Sequence, residues 1–154
     1  QITDGMNHLS LNGVVHRNLT CASILVFNLD IVESKNLHIK ICELDQAVCS
    51  GGKLHGNTAP LNTKLKVRPL RWMAPESLQY EQFSEKSDVW AFGVTMWEIL
   101  SWASAPFSHI VDDAEVERRV LAGERLLMPS SSHPGTFEIA QECWKDAKAE
   151  RPSF

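Results

Sequence analysis

Between Ser87 and Leu100 the apolar residues Val89, Trp90, Phe92, Val94, Met96, Trp97, Ile99 and Leu100 spread around most of a helical circumference. A helix that is apolar on nearly every side has to be enclosed by other elements. The chain is therefore expected to be mainly α, a helical bundle around this buried central helix. With 154 residues, 44% of them hydrophobic and 22% charged, it has material for one sizeable core and not for two domains.

The flanking pattern supplies the rest of such a bundle. Ile2, Met6 and Leu9 recur at helical spacing between Gln1 and Ser10, with Gly13 where a C-terminal cap belongs. Asp112 to Ala122 reads as a surface helix that packs Ala114, Val116, Val120 and Leu121 and stops at Gly123, and Phe137 to Lys145 reads as another. Short apolar runs at 13–16, 24–27 and 37–42, bounded by polar residues, predict small strands around a loop. From Glu43 to Lys66 the sequence is polar and contains Gly51, Gly52, Gly56 and Pro60, which predicts a long loop.

Several classes of function are disfavoured by composition. A net charge of -4 provides no overall basic field for nucleic acid or an acidic membrane surface, and no stretch reaches the length of a membrane span. Cys21, Cys42, Cys49 and Cys143 lack both zinc-knuckle spacing and the density of a disulfide scaffold, so reduced thiols in a cytoplasmic setting are expected. The chain opens without Met inside a helix and ends abruptly at Arg151-Pro152-Ser153-Phe154. It reads as a piece of a longer parent, soluble or membrane-bound.

Four ordered motifs carry the functional reading: His16-Arg17-Asn18-Leu19, Ala74-Pro75-Glu76, Ser87-Asp88-Val89-Trp90-Ala91-Phe92-Gly93, and Cys143-Trp144 followed by Arg151-Pro152. In this order and at these separations the set resembles the C-terminal lobe of protein kinases, and the resemblance covers essentially the whole chain. It implies a partial kinase domain over residues 1–154, without the N-terminal lobe that holds the Gly-rich loop, the strand Lys and the helix Glu. Pro69-Leu70-Arg71-Trp72-Met73 looks like the tyrosine-kinase version of the substrate loop, whereas Thr20-Cys21-Ala22 matches neither the tyrosine nor the serine/threonine pattern.

The resemblance assigns roles residue by residue. Glu76 and Arg151 would form a buried ion pair, Asp88 would accept hydrogen bonds from the catalytic-loop backbone, and His16 would pack beneath that loop. These are fold determinants and argue for architecture. The chemical positions are the ones that depart. Asn18 stands where the family has the Asp that accepts the proton of the attacking hydroxyl, and Ser23 where it has the Asn that holds Mg²⁺. Neither replacement serves: an amide has no carboxylate, and a neutral hydroxyl is a poorer ligand for a hard cation.

Aligning 37–42 with the strand before the metal-binding Asp-Phe-Gly places Glu43-Leu44-Asp45 on that motif. Glu43 keeps a carboxylate on a longer arm. Asp45 replaces a Gly whose freedom at positive φ the family uses, and a two-residue slip would instead make Asp45 the metal ligand. The stretch before it is longer than usual in the family, and Asp30, Glu33 and Lys35 fall in the excess, which predicts a solvated hairpin. Leu25 would lie under an adenine ring, so ATP and Mg²⁺ are implied by the family while their binding here is in doubt.

Two functions follow from the resemblance. One is a pseudokinase that works by binding another kinase or a scaffold and transmitting conformation. The other is an atypical kinase in which Glu43 or Asp45 holds metal and transfer proceeds slowly without the base. Phosphotyrosine switching in the activation segment, Glu43 to Glu76, has no tyrosine to use, since Tyr80 is the chain's single tyrosine. Ser50, Thr58 and Thr63, with Lys64, Lys66 and Arg68 nearby, are the remaining candidates for modification there.

Overall fold

A computed structural model describes residues 1–28, 36–49 and 68–154. The hairpin expected around Asp30, Glu33 and Lys35, and the candidate modification sites Ser50, Thr58 and Thr63 with Lys64 and Lys66, lie outside the described residues.

In chain order the elements are α1 (Ile2–Leu11), β1 (Val14–Val15), β2 (Ile24–Asn28), β3 (His38–Ile41), β4 (Val48–Cys49), α2 (Pro75–Tyr80), α3 (Glu85–Leu100), α4 (Asp113–Leu121) and α5 (Pro134–Cys143), with short 3-10 turns between some of them. The mainly α architecture is the one expected. The strands form two antiparallel pairs, β1 with β4 and β2 with β3, with Val15 opposite Val48 and Ile24 opposite Ile41. Both pairs sit beside the loop that follows β1, so their function in the fold is to position it.

Helix α3 is the enclosed central element. It starts at Ser84, whose N–H donates to Ser87 Oγ at 2.9 Å while that hydroxyl donates back to the Ser84 carbonyl at 2.7 Å, satisfying groups the first turn leaves open. From Ser87 to Thr95 it is buried apart from Phe92, which is partly exposed. Val89, Trp90 and Val94 join a large core with Leu78, Phe107, Val116, Phe137 and Trp144, while Ala91 faces a second cluster with Met6 and Leu19. Burial fades toward the C-terminal end, where Ile99 is half exposed, so the apolar circumference overstated the enclosure of the last turn.

Close packing of α3 against α5 depends on Gly93. A Cβ there would lie 2.6 Å from Trp144 Nε1 and 2.7 Å from Cys143 Cβ, inside any real contact distance. Helix α5 begins earlier than the sequence pattern suggested. His133 Nδ1 accepts from Gly135 N–H at 3.2 Å and Pro134 occupies the first helical position, where its missing N–H costs nothing. Phe137, Ala140 and Cys143 then form its buried face.

The other boundaries fall close to expectation. Asp112 caps α4 by accepting from Ala114 N–H at 3.1 Å, and Gly123 follows the helix with φ at 96°. Gly13 follows α1 with φ at 69°. Helix α2 was not foreseen, because six residues are too few to display a period, and its signal is Pro75 at the first position with Leu78 buried beneath it. The expected long loop from Glu43 is also shorter at its start: a 3-10 turn at Leu44–Gln46 leads directly into β4.

Candidate functional site

The loop after β1 is held from below by Asp88, in the first turns of α3. Asp88 Oδ2 accepts from His16 N–H at 2.7 Å and Oδ1 from Arg17 N–H at 3.0 Å. These two bonds support a backbone that would otherwise be unfavourable, since Arg17 has φ at 65°, a left-handed conformation that costs an ordinary residue about 1–2 kcal/mol. Burial drives the Asp88 carboxyl up to about 7, against the opposing pull of the two N–H groups and the Arg17 charge.

His16 is fully buried and its tautomer follows from its partners. Asn18 N–H donates to Nδ1 at 3.2 Å, so Nε2 carries the proton and donates to the Cys42 carbonyl at 3.0 Å. Burial also lowers the His16 pKa, which keeps the ring neutral. The Arg17 guanidinium lies over the Phe83 ring at 5.4 Å, and its Nε donates to the Gln46 carbonyl at 2.5 Å. The loop thereby grips the 3-10 turn that carries Asp45.

The structure brings Asn18 and Glu43 together. Asn18 Nδ2 donates to Glu43 Oε2 at 3.3 Å. Glu43 itself has φ at 62°. The left-handed turn expected at Asp45 therefore falls two residues earlier, because the chain must bend before the 3-10 turn and not within it. Asp45 is exposed on that turn.

Ser23 lies elsewhere in function, though near in space. It is buried, its hydroxyl donates to the Thr20 carbonyl at 2.8 Å and accepts from Thr20 N–H at 3.0 Å, and its own carbonyl accepts from Cys42 N–H at 2.9 Å. Leu25 is 48% exposed, on a strand pair whose β2 residues 25–28 all face outward.

This donor set does not fit Mg²⁺. Such an ion demands several oxygen ligands in near-octahedral geometry. Here the Glu43 carboxylate receives an N–H at one oxygen, and the Ser23 hydroxyl is consumed in its own turn. Among the described residues no group of three or more His, Cys, Asp or Glu side chains converges as a metal site.

The substrate-loop residues divide by role. Arg71 points inward: Nε donates to Asp113 at 2.8 Å, Nη1 to the carbonyls of Pro106 and Phe107 at 3.0 and 2.9 Å, and Nη2 to that of Ile110 at 2.9 Å. It fastens the chain before α4. Trp72 Nε1 donates to Glu98 Oε2 at 3.1 Å while Leu70 and Trp72 pack on the large core, and Pro69 joins Arg17, Phe83 and Asp88 around a small cavity. Below them Arg151 makes the anticipated pair with Glu76, Nη1 to Oε1 at 2.7 Å and Nη2 to Oε2 at 2.9 Å. The Arg151 side chain is fully buried and also donates to the carbonyls of Lys145 and Lys86.

Two residues that no motif pointed to complete the site. Glu98, near the end of α3, accepts at one oxygen from both Cys21 N–H and Trp72 Nε1, each at 3.1 Å, and so ties the catalytic loop to the substrate loop. Its signal was the one charged residue in the otherwise uncharged stretch of α3 after Asp88. Gln46 contributes a backbone carbonyl, which no side-chain pattern could disclose. Cys21 is held as an inert thiol, its pKa pushed up to about 12 by burial and by Glu98.

Comparison with known proteins agrees with this arrangement. The protein tyrosine and serine/threonine kinase family matches residues 1–154. The chain is 35% identical over its full length to human tyrosine-protein kinase ABL2, of which it covers 12%, and 34% identical over its full length to human vascular endothelial growth factor receptor 1, of which it covers 11%. It is 33% identical over 153 residues to the tyrosine-protein kinase receptor Tie-1 of Danio rerio, covering 99% of this chain and 75% of that sequence. It thus spans about an eighth of the length of the first of these relatives. Matched from end to end and folded around the Asp88 and Glu76–Arg151 anchors, the chain belongs to the protein tyrosine and serine/threonine kinase family, with tyrosine kinases among its relatives.

Proposed function

We propose that this chain is the C-terminal lobe of a pseudokinase, a kinase-like domain that acts in signalling by binding a partner kinase or scaffold and passing on conformation rather than by transferring phosphate. The observation that carries this reading is the Asn18 amide donating to Glu43 at 3.3 Å. At the position where the family accepts a proton, this chain presents an N–H donor, and it spends that donor on the carboxylate that the family uses for metal. Phosphoryl transfer rests almost wholly on positioning and charge stabilisation, so the loss of both groups removes most of what such a site supplies. An intracellular setting follows from the same reading. Among the described residues no helix is long and apolar enough to cross a membrane.

The fold anchors around the site remain intact, which supports a scaffold retained for contact. Weak nucleotide binding in the complete domain remains part of the proposal, since the Leu25 strand is present and its side chain is open. The deciding measurement is phosphate transfer by the full-length parent with ATP and Mg²⁺ or Mn²⁺, on itself and on a tyrosine-containing peptide. No transfer above background is expected. Turnover that vanishes on Glu43→Ala would establish the atypical kinase in its place.

A further inference from the structure

We infer that Asn18 and Glu43 form a latch that holds the 42–46 segment on the catalytic loop by side-chain contact, in the place where the family uses a divalent cation. The inference rests on the proposed function for the purpose of the latch, and on the geometry alone for its existence.

Among the described contacts, four hydrogen bonds join the two stretches. Cys42 N–H donates to the Ser23 carbonyl at 2.9 Å, His16 Nε2 to the Cys42 carbonyl at 3.0 Å, Asn18 Nδ2 to Glu43 Oε2 at 3.3 Å, and Arg17 Nε to the Gln46 carbonyl at 2.5 Å. Three of them end on backbone carbonyls and would survive a change of side chain at residues 42–46. The bond between Asn18 and Glu43 is the one in which both partners are chosen by their side chains. Both occupy positions at which this chain departs from the family pattern, and the two departures match each other. A carboxylate can only accept and a primary amide can donate, so Asn18 suits Glu43 where a second carboxylate would repel it.

The backbone at Glu43 gives the contact something to hold. Its φ of 62° is a conformation that a non-glycine residue adopts when surrounding contacts impose it. The bend throws the chain into the 3-10 turn at Leu44–Gln46, whose Gln46 is buried and gripped by Arg17, and from there into β4 paired with β1. Releasing Glu43 would loosen this segment first, since Glu43, Leu44 and Asp45 are all exposed and burial resumes only at Gln46. A consequence runs against intuition: restoring the family's acid at position 18 alone would damage the site, because it would set two anions side by side.

The test is amide hydrogen exchange of residues 44–47 in the full-length protein that contains this chain, at neutral pH in EDTA and in millimolar Mg²⁺. In wild type the exchange is expected to be the same in both. Asn18→Asp in EDTA should accelerate it about five- to tenfold, from loss of the hydrogen bond and the new repulsion. The double variant Asn18→Asp with Glu43→Gln rebuilds an amide–carboxylate pair of reversed direction, and its exchange should return to within about twofold of wild type. Wild-type rates in Asn18→Asp, a double variant as fast as the single one, or strong protection of the wild type by Mg²⁺ would each overturn the latch. Should Asn18→Asp fail to fold, a folded double variant supports the latch and an unfolded one sinks it. Exchange reads the contact and not turnover. Phosphate transfer by wild type therefore breaks the pseudokinase reading without touching the latch, and unchanged exchange without transfer does the reverse.

Discussion

The lower part of the molecule and its upper edge follow opposite rules. Around α3 and Arg151 the buried charged groups have dedicated partners: Asp88 lies under two N–H groups, Arg151 against Glu76 and neighbouring carbonyls. Along the upper edge Glu43 and Asp45 are exposed, and their only described bond to the catalytic loop runs from Asn18 to Glu43. The lower region cannot vary, since removal of one partner strands a charge out of water. The upper edge can, because exposed polar groups exchange partners at small cost. The proposed pseudokinase reading draws on this contrast, an edge that departs from the family pattern beside a base that keeps its anchors.

That contrast can be broken most severely at its strongest point. Glu76→Ala should destabilise the protein by about 3–5 kcal/mol in denaturant unfolding, because it leaves the fully buried Arg151 guanidinium without its carboxylate. A loss under about 1 kcal/mol would mean that the lower region is as tolerant as the upper. Gly93→Ala comes next, at about 1–3 kcal/mol, from forcing α3 away from Trp144 and Cys143. Unfolding as easy as wild type would show that this interface is looser than its distances imply.

The pH dependence of stability sharpens the comparison further. Asp88, raised from 3.8 to about 7, contributes stability that is complete below its unfolded value and is lost as pH rises from about 4 through 7. His16, lowered by burial, contributes in the opposite sense, with stability present above its ordinary range and lost as pH falls. Their slopes oppose one another in wild type. Asp88→Asn removes the first and leaves the second, so the variant should gain stability more steeply with rising pH while losing about 1–2 kcal/mol near pH 5 from the lost acceptor. Parallel pH profiles for variant and wild type would refute the assignment to Asp88.

The smallest effect is expected at Ser23. Ser23→Ala removes the hydroxyl that closes the turn with Thr20 and should cost about 1 kcal/mol, without altering any response to Mg²⁺ in thermal unfolding. A changed Mg²⁺ response would return Ser23 to the metal site that its position in the family assigns to it.

Much of this was legible in the order of residues. The partners of Asp88, the Glu76–Arg151 pair and the buried His16 follow from motifs whose tasks the resemblance to the kinase lobe implies. Helix ends marked by Gly13, Gly123 and Asp112 were readable for the same reason. Arg71 was not: the sequence placed it only in a segment that resembles a substrate loop, and its inward turn depends on the carbonyls of Pro106, Phe107 and Ile110 gathered by the loop before α4. Trp72 and Glu98 are 26 residues apart and lie in different elements, so their bond has no local signal.

By itself the sequence determined the architecture, because an apolar helix at 85–100 must be enclosed and charged groups at 76, 88 and 151 can be buried only against dedicated hydrogen-bonding partners. It also showed positions 18, 23 and 43 departing from the motif pattern of the family that the chain resembles. Tertiary structure decided what those departures do. The left-handed bend fell at Glu43 and not at Asp45, the Ser23 hydroxyl turned into its own cap, and the Asn18 amide met the Glu43 carboxylate across 25 residues. Pairings of that kind depend on where two side chains at the surface come to rest, and no periodicity or spacing along a chain encodes it.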